Sequence, residues 1–209
     1  MIQGKGLSYS YSKDSPIQFP DFTFDQGSQW LIIGPSGSGK STLLQILAGL
    51  RKSPKGDLVI DGKNLGDLSN SELDKYRGQK IGIVFQKAHF VESITVMDNL
   101  LLSQKLAGQT LNRSRCDEML SHLGLEQKAT KLPGQLSQGE RQRVALARAL
   151  VKNPAVLLAD EPSSALDDTN TQKLIALIKK EAKEVNATLI IVTHDHRLKE
   201  AFSNKIELQ

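Results

Sequence analysis

The chain has 209 residues, of which 39% are hydrophobic and 24% charged, and carries a formal net charge of +4. This supports one domain with a substantial core and excludes an intrinsically disordered chain. The mild positive charge is spread along the sequence, so it does not point to nucleic acid.

No apolar run follows Met1, so no secretory signal is expected. The first sixty residues hold Tyr9, Tyr11, Phe19, Phe22 and Phe24 in short, turn-broken segments. They predict a small antiparallel sheet, completed by residues 58–60 and a tight turn at Asp61-Gly62. The apolar run at residues 30–33 leads into Gly34, Pro35, Ser36, Gly37, Ser38, Gly39, Lys40, Ser41 and Thr42, and residues 43–49 read as a helix. This is G-x-x-x-x-G-K-[ST] in its strand, loop and helix context. Three glycines let the backbone aim N–H groups at phosphate oxygens, above a helix N-terminus of partial positive charge. Lys40 would reach the outer phosphates, and the Ser41 hydroxyl would ligate Mg²⁺. A nucleoside triphosphate is the expected ligand.

Residues 81–85 predict a strand ending at Gln86. From about residue 88 to 150 the pattern turns helical. Val96, Met97, Leu100, Leu101 and Leu102 form one apolar face, and Met119, Leu120 and Leu123 another. The lone Cys116 cannot form an intrachain disulfide, which fits a reducing compartment, and reads as a small side chain on a helix. Pro133-Gly134 breaks the chain. Ser137 and Glu140 then stand three apart at a helix start, as in a capping box. Residues 155–159 run into Asp160-Glu161, and residues 188–193 into His194. Such unbroken apolar runs suit a parallel sheet covered on both faces, whose carboxyl strand ends share one edge. His89, His122 and His196 lack such a context and read as surface or packing residues. The longest apolar stretches are far shorter than a bilayer span.

Residues 136–143, Leu-Ser-Gln-Gly-Glu-Arg-Gln-Arg, lie between the phosphate loop and Asp160-Glu161. That order, with Gln86 before it and His194 after it, resembles the nucleotide-binding subunits of ATP-binding cassette (ABC) transporters over nearly the whole chain. Residues 76–86 and 136–149 look most like the lipoprotein-release and macrolide-exporter branch.

The resemblance implies a P-loop NTPase (RecA-like) α/β fold with a parallel-sheet core. It also implies a small N-terminal antiparallel β subdomain and an inserted α-helical subdomain. Residues 1–209 would form one domain, with the α/β core at about 1–87 and 151–209 and the helical subdomain at 88–150. It implies ATP and Mg²⁺, with Ser41, Gln86 and Asp160 at the metal and Glu161, His194, Lys40 and Gln86 as catalytic groups. Glu161 would polarise the attacking water, and His194 would meet the γ-phosphate. Tyr11 matches the adenine-stacking aromatic, although packing of the small sheet is open to it and Tyr9 competes. Residues 164–167 match the dimer-contact loop. Asp167 would carry site geometry across the interface, or simply open the following helix.

In the implied head-to-tail homodimer, Ser137, Gln138 and Gly139 of one copy face the phosphates held by the other. Gln138 replaces the commoner glycine and would crowd that contact. A multi-span membrane subunit would dock near residues 86–97, locating the chain in the cytoplasm on the inner face of the cell membrane, and no nucleic acid is expected. Phe90, Val91 and Ile94 are candidates for the docking groove or for the insertion's own core. The implied activity is ATP hydrolysis that powers a transporter or extrusion complex. The alternative is a regulatory cassette that transmits force without moving a solute. A ribosome- or nucleic-acid-associated cassette fits poorly, because only one cassette is present.

Overall fold

The computed structural model describes residues 1–11, 16–53, 55–163 and 167–209, without the side chains of His196 and Arg197. In chain order the elements are β1 (Ile2–Ser10), β2 (Pro16–Gln18), β3 (Phe22–Phe24), β4 (Gln29–Ile33), α1 (Lys40–Leu47), β5 (Lys55–Ile60), β6 (Lys63–Asn64) and α2 (Asn70–Lys80). They continue with β7 (Ile81–Val84), α3 (Val96–Leu106), α4 (Arg113–His122), α5 (Gln138–Leu150), β8 (Val156–Asp160), α6 (Asp168–Glu184), β9 (Thr188–Thr193) and β10 (Asn204–Glu207).

Two sheets divide the strands. β2, β1, β5 and β6 lie in that order with β3 also on β1, all antiparallel. Asp61 and Gly62 have φ of 50° and 76°, the paired positive values that a two-residue hairpin with right-handed twist demands. Phe22 stacks on Phe24 at 4.7 Å between ring centroids, and Phe24 meets Trp30 at 4.6 Å, which seats this sheet on the second one.

The second sheet is wholly parallel, in the order β10-β4-β9-β8-β7. Its strands alternate between two cores. Leu31, Ile33, Leu157, Ala159, Leu189 and Ile191 face one, with α3, α4, α5 and α6. Ile32, Val156, Leu158, Ile190 and Val192 face the other, with α1, α2 and the antiparallel sheet. Both faces are dry, which explains the unbroken apolar runs. The register pairs Ile33 with Thr193, Val192 with Asp160 and Ala159 with Val84. The chain therefore leaves β4, β7, β8 and β9 along one rim.

Some sequence expectations move. The helix after the phosphate loop begins at Lys40, not at residue 43. Residues 88–95 are irregular backbone with a turn at residues 92–94 rather than helix. Their backbone is held by the buried Asn99 side chain, which accepts from Val91 N at 3.0 Å and donates to the carbonyls of Val91, Ile94 and Thr95. A side chain that satisfies backbone groups in this way competes with helix formation. β10 and α2 had no forecast. α2 is set by a full capping box of Ser69 and Glu72 and buries only Leu73 and Tyr76.

Tyr76 ties α2 to the antiparallel sheet by donating its hydroxyl to the Ile60 carbonyl at 2.6 Å. Burial, with Asp61 adding, pushes the phenol up to about 12, so it remains a donor at neutral pH. Tyr76→Phe would remove this hydrogen bond and cost about 1 kcal/mol. The urea midpoint should fall with unchanged slope, and a wild-type midpoint would show that the bond adds no net stability.

Candidate functional site: a triphosphate cradle at the sheet rim

Every helix start leaves backbone N–H groups without a partner in the helix. In α2, α3, α4, α5 and α6 a side chain takes up one of them, from Ser69, Thr95, Asn112, Ser137 and Asp167 respectively. α1 differs. Its N-cap is Gly39 at φ 89°, no side chain caps it, and no acidic residue lies in its first turn. Its donors and its dipole are left for an anion from outside. Gly37 and Gly39, both at positive φ, turn the loop tightly enough to present them. The Lys40 side chain runs back inside the loop, 7% exposed, and its ammonium donates to the carbonyls of Gly34 and Pro35 at 2.9 and 2.7 Å.

The acidic strand end sits beside this loop. Asp160 is half-buried, and its Oδ1 is buried without a hydrogen-bond partner. Burial raises its carboxyl pKa, and the neighbouring Glu161 charge adds to the rise against the opposing charge of Lys40. An oxygen in that state suits a hard cation. Glu161 has φ 47°, a left-handed value that costs a non-glycine residue about 1–2 kcal/mol. Its backbone N–H bonds Val192 O at 2.8 Å. Its carboxylate accepts from Thr193 Oγ1 at 2.7 Å and from His194 N at 3.0 Å, with His194 Nδ1 at 2.7 Å. That contact favours a proton on Nδ1.

The loop, Glu161 and His194 share a cavity of about 630 Å³, lined by Tyr11, Ile17, Ser36, Gly37, Gly39, Lys40, Ser41, Thr42, Gln86, Glu161 and His194, while Asp160 stands next to Glu161 outside that lining. Tyr11, 64% exposed, forms part of the wall, and its hydroxyl bonds Thr42 Oγ1 at 2.8 Å. Its ring meets Tyr9 edge-on at 5.0 Å, and the Arg51 guanidinium sits 5.2 Å from each ring centroid. Tyr9 does not line the cavity, and its hydroxyl accepts from Arg51. Gly34, Pro35 and Ser38 shape the loop from behind. A side chain at position 34 would fall 2.5 Å from Leu208 O.

The residues at the start of the 136–143 stretch lie elsewhere. Ser137 and Gln138 are exposed, Gly139 is half-buried, and none of the three lines the cavity. Asp167 caps α6, accepting from Asn170 N at 2.8 Å. The rest of its loop, residues 164–166, lies outside the described residues. His122 is exposed and lies 3.7 Å from the buried Glu181, away from the cavity. Sequence reasoning missed Ile17 beneath Gly39, Thr193 as the partner of Glu161, and Gln142, which donates to Pro162 O at 3.2 Å. Thr193 had a visible signal, as the last residue of its strand. The other two depend on the tertiary fold.

Comparison with known proteins gives one answer. The family profile described as ABC transporter matches residues 17–164. The lipoprotein-releasing system ATP-binding protein LolD of Porphyromonas gingivalis is 36% identical over 200 residues, covering 95% of this chain and 91% of that protein. The methionine import ATP-binding protein MetN 2 of Enterococcus faecalis is 38% identical over 97% of this chain, which spans 59% of that longer protein. The dimeric structure of MJ0796, a bacterial ABC transporter cassette, superposes with a TM-score of 0.87 at 36% identity, covering 100% of this chain and 94% of that one. A post-hydrolysis dimer of the same cassette bound to ADP and Pi superposes with a TM-score of 0.88. The uncapped helix start, the orphaned acidic oxygen and these likenesses agree, and the chain belongs to the ABC transporter family as an ATP-hydrolysing cassette.

Proposed function

We propose that two copies of this chain close head to tail around two ATP molecules and so drive a membrane subunit docked near residues 86–97. The observation that carries this reading is α1, whose capless N-terminus and inward-turned Lys40 stand ready for phosphate. Arriving phosphate oxygens would replace the carbonyls of Gly34 and Pro35 as partners of Lys40. The Tyr11 ring would stack on adenine, since the residue is largely exposed while its hydroxyl is anchored.

Ser41, Gln86 and Asp160 would hold Mg²⁺, and the unpartnered Asp160 oxygen fits that ion. When bound, Mg²⁺ neutralises phosphate charge. Glu161 would orient the attacking water, with His194 and Thr193 fixing its carboxylate, and His194 would meet the γ-phosphate. Ser137, Gln138 and Gly139 open α5 on the surface, outside their own chain's cavity, which supports a role toward the other copy. Asp167 would lie at the same interface. Residues 88–150 would act as the helical unit that receives the membrane subunit. No described helix is long and apolar enough to cross a membrane, so the spanning falls to that partner and this chain would sit on the cytoplasmic face.

Glu161→Gln should lower ATP turnover by about 100-fold or more while leaving ATP binding intact, and ATP should then trap dimers visible by size exclusion. Unchanged hydrolysis would remove Glu161 from this role. Asp160→Asn tests the metal position. The raised Asp160 pKa means that the folded chain binds this proton more tightly than the unfolded chain does. Its penalty is therefore full above the raised value and fades as pH falls through it. Asp160→Asn should raise the melting temperature of the nucleotide-free chain by about 2–4 °C while abolishing the extra stabilisation that Mg²⁺ adds to ATP. Retained Mg²⁺ dependence would assign the ion elsewhere. Gln138→Gly should increase ATP-driven dimerisation if the longer side chain crowds the shared phosphate, and an unchanged dimer yield would show that it is accommodated.

A further inference from the structure

The far end of α1 is closed by a glycine turn. Gly49, at φ 64°, follows the helix, and the N–H groups of Gly49 and Leu50 bond back to the carbonyls of Ile46 and Gln45, each at 2.9 Å. This reversal brings Arg51 back alongside the helix that the chain has just left. The Arg51 N–H also reaches the Gln45 carbonyl, at 3.1 Å, and its Nε donates to the Gln45 side chain. Its Nη1 donates to the Tyr9 hydroxyl at 2.6 Å. The guanidinium itself lies over the rings of Tyr9 and Tyr11, 5.2 Å from each centroid. At that range a cation is attracted by the ring quadrupole. Bonds on two sides of the planar fork remove the freedom that a long side chain usually keeps.

Tyr11 is therefore held from α1 at two points. Thr42, in the first turn, bonds its hydroxyl at 2.8 Å, and Arg51, beyond the last turn, covers its ring. Tyr9 meets the ring edge-on at 5.0 Å. An aromatic side chain as exposed as Tyr11 would otherwise sample several rotamers. Arg51 does not line the ATP cavity. It lines a separate recess with Ile46, Gly49, Ser53 and Leu58. It thus stands behind Tyr11 and reaches a nucleotide only through that ring.

We infer that Arg51 is a positioning residue for the nucleotide base, holding the Tyr11 ring in the orientation that stacks on adenine. The inference rests on the proposed stacking of adenine on Tyr11 and adds the group that prepares that wall. One helix then sets the spacing of the whole ligand, with phosphate at its start and the base on a ring tied to it at both ends. A ring already held costs no ordering when the base arrives, so Arg51 contributes to base affinity. The phosphate contacts, made by the loop and Lys40, do not depend on it.

The test uses the full chain and two ligands, ATP and tripolyphosphate, which carries the phosphates without a base. Titration calorimetry without Mg²⁺ gives both dissociation constants without hydrolysis. Arg51→Met should weaken ATP binding by about tenfold and leave tripolyphosphate unchanged. Arg51→Lys keeps the cation without the fork and should fall between the wild type and Arg51→Met. Tyr11→Ala should weaken ATP binding, and adding Arg51→Met to it should have no further effect, because the two residues act as one unit. With Mg²⁺ present, Arg51→Met should raise the KM for ATP and leave kcat in place. An unchanged ATP constant in Arg51→Met, equal weakening of ATP and tripolyphosphate in both Arg51 variants, an Arg51→Met effect that persists beside Tyr11→Ala, or a loss of kcat at saturating ATP would overturn the inference. If Tyr11→Ala weakens ATP alone while Arg51→Met changes nothing, only the role of Arg51 falls. If Tyr11→Ala binds ATP as the wild type does, the adenine-stacking reading falls and the role of Arg51 with it.

Discussion

A parallel sheet covered on both faces leaves a ligand one place to meet several strands at once, the rim where the chain exits. Here that constraint does most of the organising. β4, β8 and β9 give up most of their length to packing, with residues 31–33, 156–159 and 189–192 all buried. Polarity gathers at the carboxyl ends, where Asp160 and Thr193 are the last paired residues of β8 and β9 and Gly34, Glu161 and His194 follow the strands. The helix that follows β4 then meets the rim with its start uncapped. The departure from capping is local, since the five longer helices are all capped. Stability is withheld at a helix start where a bound anion can supply it.

The same logic runs through the acidic residues. Asp160 holds a buried oxygen with no donor, and Glu161 occupies a left-handed backbone conformation. Each is unfavourable in the free chain, and each is held by its surroundings. Glu161 is fixed by Thr193 and by both the backbone and the ring of His194. Glu161 and His194 are therefore one hydrogen-bonded unit rather than two independent groups. With the proton on Nδ1, a neutral His194 has only an acceptor at Nε2, so any donation from that nitrogen to a phosphate requires the imidazolium.

The parts legible in the sequence were those whose signal is local. The phosphate loop, the capping box at Ser137 and Glu140, the Asp61-Gly62 turn and the buried strands each lie within a few consecutive residues, and each was found where expected. Adjacency across distant segments was not legible. Nothing near Ile17 marks it as the floor under Gly39, and nothing in residues 88–95 announces that Asn99 will hold them out of a helix. α2 was missed because only Leu73 and Tyr76 are buried in it, too few to make a periodic pattern. β10 was missed because Ile206 stands alone among polar neighbours, on the edge of the sheet.

One consequence follows from the way α5 is clamped. Arg141 and Arg148 grip Phe90 from the same rod whose tip is Ser137. From Arg148 to that tip is eleven residues, or about 16 Å of helix at 1.5 Å per residue. A tilt of the rod by about 10° about its far end swings the tip by about 3 Å, as much as a whole hydrogen-bond length. Leverage of that size would let a small displacement at Phe90 decide whether the helix start makes or misses the contact proposed for it.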